Sequence, residues 1–147
     1  MPCCSSCRRR TTWRACITLA NSSRSVSIVG STGSIGTQAL DVIRASKDEF
    51  EVVALGAYRS VEILAGQIEE FHPKVVAVVD EQAAKDLVEA IPAGTEVLVG
   101  EDALRQVAEL GDTVLNAVVG FAGLPVTLAA LRSGRRLALA NPRAAAV

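Results

Sequence analysis

Aromatic side chains are scarce in this chain: its 147 residues include one Trp, one Tyr and three Phe. The core must therefore be built from small aliphatic groups, and half of the residues are hydrophobic, mostly Ala, Val and Leu. There is one histidine, His72, beside Pro73. With no partner constellation around it, it reads as a surface-loop residue and excludes a histidine-based triad or metal cluster. No apolar run approaches the ~20 residues that cross a bilayer as a helix. Beyond Cys16 there is no cysteine, which excludes a disulfide framework for the body and fits a reducing cytosol. Charge of one sign is also missing locally. Residues 1–25 carry five arginines and no acid, whereas the remainder carries ten basic and sixteen acidic residues. An acidic body argues against a nonspecific nucleic-acid partner.

What is present divides into a leader, residues 1–24, and a body, residues 25–147, long enough for one domain. All four cysteines, Cys3, Cys4, Cys7 and Cys16, lie in the leader. Cys4 and Cys7 have C-x-x-C spacing, but no histidine is near and no strand–helix junction surrounds them. The leader is expected to be disordered or extraneous. Its Arg- and Ser-rich, acid-free composition leaves an organelle-targeting peptide as the alternative to a cytoplasmic, bacterial setting. Its apolar stretch Ala15–Ala20 is too short for a secretory core.

The body alternates in pattern. Apolar runs predict strands at Val26–Val29, Phe50–Gly56, Val75–Val79, Val97–Val99, Val114–Val119 and Leu137–Ala140. Helical patterns fall between them, at Ile35–Ser46, Val61–Phe71, Glu81–Ala90, Asp102–Leu110 and from Leu124 to Leu131. Ile35, Ala39, Leu40, Val42 and Ile43 are expected on one inward face, as are Val61, Ile63, Leu64 and Ile68. His72-Pro73 and Pro92-Ala93-Gly94 read as helix stops, Gly111 as a helix-terminating C′ glycine, and Pro125 as a first-turn proline. Near-continuous apolar strands joined by helices predict a Rossmann-like α/β fold, doubly wound, with a mostly parallel sheet of about six strands.

The first strand runs into Gly30, Gly33 and Gly36, and a helix follows at once. The spacing is G-x-x-G-x-x-G rather than the commoner G-x-G-x-x-G, so the pattern alone fits either a shaped helix-opening turn or a phosphate cradle. Its place at the first βα junction of an alternating chain favours the cradle. There Gly30 makes the tight turn, Gly33 admits the phosphates and Gly36 lets helix and strand pack closely. The helix N-terminus adds unpaired N–H groups and a partial positive charge. The second strand then selects the cofactor. NAD sites place an acid near its end, but here Tyr58, Arg59 and Ser60 follow, and no acid appears before Glu62. A guanidinium and a hydroxyl suit a 2′-phosphate, so NADP(H) is expected over NAD(H). A solvated arginine and an ordinary N-cap serine are the alternative. The adjacent acids Asp48/Glu49, Glu69/Glu70 and Glu101/Asp102 read as solvated charges.

Four segments together carry a resemblance: Gly30–Gly36, Val53–Ala57 with Arg59, Asn116–Leu124, and Leu131–Gly134 continuing to Leu139-Ala140-Asn141. They resemble the amino-terminal, NADPH-binding domain of the 1-deoxy-D-xylulose 5-phosphate reductoisomerases, over about Ser25 to Asn141. The resemblance implies an enzyme of the non-mevalonate isoprenoid route, which rearranges 1-deoxy-D-xylulose 5-phosphate and reduces the product with NADPH to 2-C-methyl-D-erythritol 4-phosphate. It implies pyrophosphate contacts from Thr32, Gly33, Ser34 and Ile35. Tyr58, Arg59 and Ser60 fall in the 2′-phosphate segment, and Asn141 near the nicotinamide. Tyr58 departs from the small residue usual there, as if to crowd or stack on the adenine. Where the family continues Ala-Asn with Lys-Glu-Ser-Leu, this chain has Pro142, Arg143 and alanines. No catalytic residue and no ligand for the family's Mg or Mn ion is expected in this chain, which reads as truncated or frame-altered and inactive alone. A homodimer remains open for the full-length enzyme. A nonenzymatic NADP(H)-binding module, or a remnant without function, is the alternative.

Overall fold

The computed structural model describes residues 24–91 and 94–140. The leader cysteines, Pro92-Ala93, Asn141, Pro142 and Arg143 lie outside them. Six strands and five α-helices alternate: β1 (Arg24–Val29), α1 (Ser34–Ala45), β2 (Phe50–Ala57), α2 (Val61–Phe71), β3 (Val75–Val78), α3 (Glu81–Ala90), β4 (Glu96–Val99), α4 (Glu101–Val107), β5 (Thr113–Asn116), α5 (Leu124–Arg132) and β6 (Arg136–Leu139). The strands pair in the order β4-β3-β2-β1-β5-β6, and every pairing is parallel. The chain thus builds outward from β1 to β4, then crosses back to lay β5 on the other side of β1. Where the winding direction reverses, the carboxyl ends of β1 and β5 leave a crevice between their loops.

Two apolar layers sandwich the sheet. On one face Leu40, Ile43, Leu64, Ile68 and Leu87 of α1, α2 and α3 pack on Ile28, Leu55 and Val76. On the other, Ala103, Val107, Val126 and Ala130 of α4 and α5 cover Val29, Ala54, Ala77 and Val114. Side chains alternate across a strand, so one apolar run feeds both layers. Each fully buried Leu or Ile contributes about 1.5–3 kcal/mol by leaving water.

The structure corrects the expected inward faces. Ile35, Val42 and Ile63 are 45 %, 64 % and 49 % exposed. At 3.6 residues per turn, Ile35 and Val42 lie about 100–120° round the helix from Gly36, which faces the sheet with Leu40 and Ile43. On α2 the inward position goes to Gln67 instead of Ile63. Two element ends also shift. α4 stops at Val107, and β5 stops at Asn116, followed by a 3₁₀ turn, Gly120–Gly123, just before α5. Gly111 is no left-handed C′ residue. A Cβ on it would lie 2.7 Å from the Ser27 amide nitrogen, so it is glycine because β1 passes against it. His72 is exposed and takes the left-handed C-cap conformation of α2, with φ 51°. No helix among the described residues is long and apolar enough to cross a membrane.

Candidate functional site

The three glycines of the β1–α1 turn have different reasons to be glycine. Gly30 has φ +88°, and a Cβ there would stand 2.9 Å from the Ala117 carbonyl carbon. Gly36 is buried in the first turn of α1, where a Cβ would fall 2.3 Å from the Gly30 carbonyl oxygen. Both are required by the chain itself. Gly33 is not. Its backbone is extended, with φ −79° and ψ 169°, and a Cβ on it would meet only the Gly30 carbonyl oxygen, at 3.4 Å. Gly33 is exposed and lines a cleft of about 640 Å³ at the switch point. Among the described residues, a Cβ there would meet only that carbonyl oxygen within 4 Å.

The start of α1 is prepared for an anion. Gly33 is its N-cap and supplies no side-chain cap, and no acid stands in the first turn. Ser34 and Ile35 open the helix on the exposed side, and Thr32 faces the cleft beside Gly33. The Thr37 hydroxyl sits 3.1 Å from the Gly33 carbonyl and 3.0 Å from that of Ser34, closing the first turn from within. The amides of Gly30 and Ser31 both donate to the Gly56 carbonyl, at 2.8 and 3.0 Å. These bonds seat the turn on β2, whose own end supplies the next group.

That end carries Tyr58, Arg59 and Ser60, all exposed. Tyr58 lines the cleft and is 63 % exposed. Arg59 forms no ion pair among the described residues. Ser60 is the N-cap of α2, yet its hydroxyl makes no capping hydrogen bond. Ser60 thus caps α2 through its backbone carbonyl, which accepts the Leu64 amide at 3.1 Å, and its hydroxyl stands beside the Arg59 guanidinium in sequence.

The opposite wall was not legible as a site. Asn116 ends β5 fully buried; its Nδ2 donates to the Gly123 carbonyl at 2.7 Å and to the Thr127 hydroxyl at 2.9 Å. These bonds fold residues 117–123 back over the strand end and put Val118, Val119 and Phe121 on the cleft. Gly120, Gly123 and Pro125 were the available signal, since such punctuation marks a turn before a helix. Glu101 and Asp102 reach the rim from the start of α4, where Asp102 pairs with Arg105. The Glu69/Glu70 pair divides: Glu70 bonds Arg44 across α1 and α2, with Nη2 to Oε2 at 2.6 Å, and this bond holds its carboxyl below the usual range. Asp112 is lowered by the Ser25 hydroxyl, which donates to it at 2.6 Å. Among the described residues no three His, Cys, Asp or Glu side chains come together as a metal site.

An apolar cleft, an open glycine turn, a helix N-terminus without a side-chain cap and an arginine that forms no ion pair among the described residues thus meet at the carboxyl end of the sheet. Comparison with known proteins shows the family and the fold. The sequence profile of 1-deoxy-D-xylulose 5-phosphate reductoisomerase matches residues 26–144. The enzyme of that name from Caldanaerobacter subterraneus subsp. tengcongensis is 50 % identical over 115 residues, covering 78 % of this chain and 30 % of the relative. Among solved structures, the reductoisomerase from Zymomonas mobilis in complex with NADPH superposes with TM-score 0.77 at 39 % identity, over 82 % of this chain and 32 % of that one. A reductoisomerase solved with NADPH, fosmidomycin and magnesium gives TM-score 0.76 at 35 % identity, over 82 % of this chain and 31 % of that one. The chain thus spans about a third of the length of these relatives. On the profile match and the shared fold, the chain belongs to the 1-deoxy-D-xylulose 5-phosphate reductoisomerase family.

Proposed function

We propose that residues 25–147 form the NADPH-holding domain of a 1-deoxy-D-xylulose 5-phosphate reductoisomerase. The observation that carries this reading is Gly33: neither its backbone angles nor its packing needs a glycine, which leaves the close approach of a ligand as the reason. The amides of Thr32, Gly33, Ser34 and Ile35 would hold the pyrophosphate against the positive end of α1. Arg59 would grip the 2′-phosphate with Ser60 adding a hydrogen bond, and the Tyr58 ring would lie against the adenine. Val118 and Val119 offer an apolar wall to the other end of the cofactor, where Asn141, outside the described residues, would also stand. When bound, NADPH supplies a hydride. This domain's task is to hold that cofactor in one orientation while the remainder of a family enzyme presents the substrate. For a full-length family enzyme the proposed reaction is rearrangement of 1-deoxy-D-xylulose 5-phosphate and reduction to 2-C-methyl-D-erythritol 4-phosphate, with Mg or Mn. The described residues bring no metal-binding cluster together, and no metal ligand is assigned to them.

Titration of the purified chain with NADPH, followed by cofactor fluorescence, tests the reading. Saturable binding that is tighter than for NADH supports it; no saturable binding overturns it.

A further inference from the structure

Gln67 is a polar side chain in an apolar place. It is 8 % exposed on the inward face of α2, between Leu64 and Ile68 in the helical array. Its Nε2 donates to the carbonyl of Ser31 at 3.0 Å, across 36 positions of sequence. Ser31 is fully buried in the glycine turn, directly after Gly30. Among the described residues no backbone amide reaches the Ser31 carbonyl from a turn or cap, so Gln67 is its donor. The turn is therefore gripped from two sides. β2 accepts its amides through the Gly56 carbonyl, and α2 supplies a donor to its carbonyl. The Ser31 hydroxyl and the Gln67 Oε1 are both buried without a partner among the described residues. Neither side chain has a second bond to hold the turn if the first is lost.

We propose that Gln67 is a positioning residue for the phosphate-binding turn. It does not line the cleft; it fixes the Gly30–Gly33 backbone from behind, in the shape a pyrophosphate requires. The inference rests on the cofactor reading above. A turn already ordered before the ligand arrives loses little freedom on binding, and that difference appears as affinity.

Gln67→Met keeps the length and removes the donor, while Gln67→Glu sets a carboxylate against the carbonyl. The full chain is titrated with NADPH and with adenosine 2′-phosphate, which has the adenine and the 2′-phosphate but no pyrophosphate. The Kd for NADPH should rise about threefold to tenfold in Gln67→Met, as for one lost hydrogen bond, and further in Gln67→Glu. Adenosine 2′-phosphate should bind within twofold of the parent chain. In ligand-free protein, hydrogen exchange at the Gly30, Ser31 and Gly33 amides should quicken in Gln67→Met. The exchange arm reads the turn without cofactor. A parent chain that binds no NADPH thus overturns the cofactor reading while exchange still decides the role of Gln67. Unchanged exchange with unchanged NADPH affinity overturns the proposal, as does equal weakening of both ligands.

Discussion

The side-chain oxygen of Asn116 accepts the amide proton of Val118 at 3.1 Å, so a residue at the end of β5 bends the chain that follows it back onto its own side chain. With the two bonds donated by its Nδ2, Asn116 decides where the second wall of the cleft stands. Asn116→Ala should therefore act on stability and affinity together. It orphans the Val118 amide and leaves a cavity, whereas the Gly123 carbonyl keeps the Thr127 hydroxyl as a donor. A loss of about 1–3 kcal/mol by urea unfolding is expected, with weaker NADPH binding. A variant as stable as the parent would mean that the loop is held by its apolar contacts.

The glycine turn yields a sharper contrast. Gly33→Val adds a side chain to open space and should leave far-ultraviolet circular dichroism and the thermal midpoint nearly unchanged while abolishing NADPH binding. Gly36→Ala drives a methyl group into the Gly30 backbone at 2.3 Å and should destabilise the domain by several kcal/mol instead. If Gly33→Val bound NADPH normally, the turn would be shape without ligand.

Much of this is legible in the sequence, and the reasons for the failures are specific. All six strands and five helices are readable because even the half-exposed edge strands β4 and β6 keep short apolar runs and the helices between the strands keep a 3.6-residue pattern. Spacing alone leaves Gly30 and Gly33 open between a shaped turn and a phosphate cradle; their place at the first βα junction is what favours the cradle. Periodicity cannot show relationships across the fold. Nothing in the local pattern marks Gln67, because its partner is 36 positions away. Asn116 stands in what reads as an uninterrupted strand to Val119, whereas β5 ends there and the Asn116 side chain makes three hydrogen bonds to the chain that follows. Gly111 keeps its identity but changes its reason, because β1 packs against it. Counting apolar residues puts Ile35 and Val42 inward because it gives no weight to Gly36, the point of closest approach.

Under the proposed function, Arg59 is the group that would choose between the cofactors. NADPH should bind more tightly than NADH by about 1–3 kcal/mol if one charged contact carries the difference, and Arg59→Ala should remove most of it. Parallel titrations of both cofactors on both proteins check this. Equal affinities in the parent chain would return Arg59 to the role of a solvated charge.

The Arg44–Glu70 bond ties α1 to α2 and holds the Glu70 carboxyl below its ordinary value of 4.5. A folded-state value below the unfolded one stabilises the fold above that ordinary value, and the contribution disappears as pH falls through the lowered one. Stability of the parent chain should thus drop faster with acid, below about pH 4.5, than that of Glu70→Gln. Thermal midpoints of the two proteins between pH 7 and 3 measure it. Parallel curves would show that the exposed pair contributes nothing.

The 147-residue polypeptide should hold NADPH without turning over the family substrate. Hydride transfer requires a carbonyl held against the reduced ring, together with a positive group at the oxygen where charge develops. The described residues bring a glycine turn, a helix N-terminus and an apolar wall from Val118 to Phe121 to the cleft, which the proposed function makes the cofactor side of that encounter. They bring no carboxylate cluster to the cleft that would hold a metal, and the chain spans about a third of the relatives' length. With 1-deoxy-D-xylulose 5-phosphate and Mg²⁺ or Mn²⁺ present, absorbance at the NADPH band should fall no faster than without substrate. Addition of the remaining two-thirds of a family enzyme as a separate polypeptide is the informative second arm. Turnover restored there would place the missing groups outside this chain. Turnover by the 147-residue chain alone would mean that its own residues hold both the substrate and the developing oxyanion, and the division of labour between cofactor domain and remainder would fall.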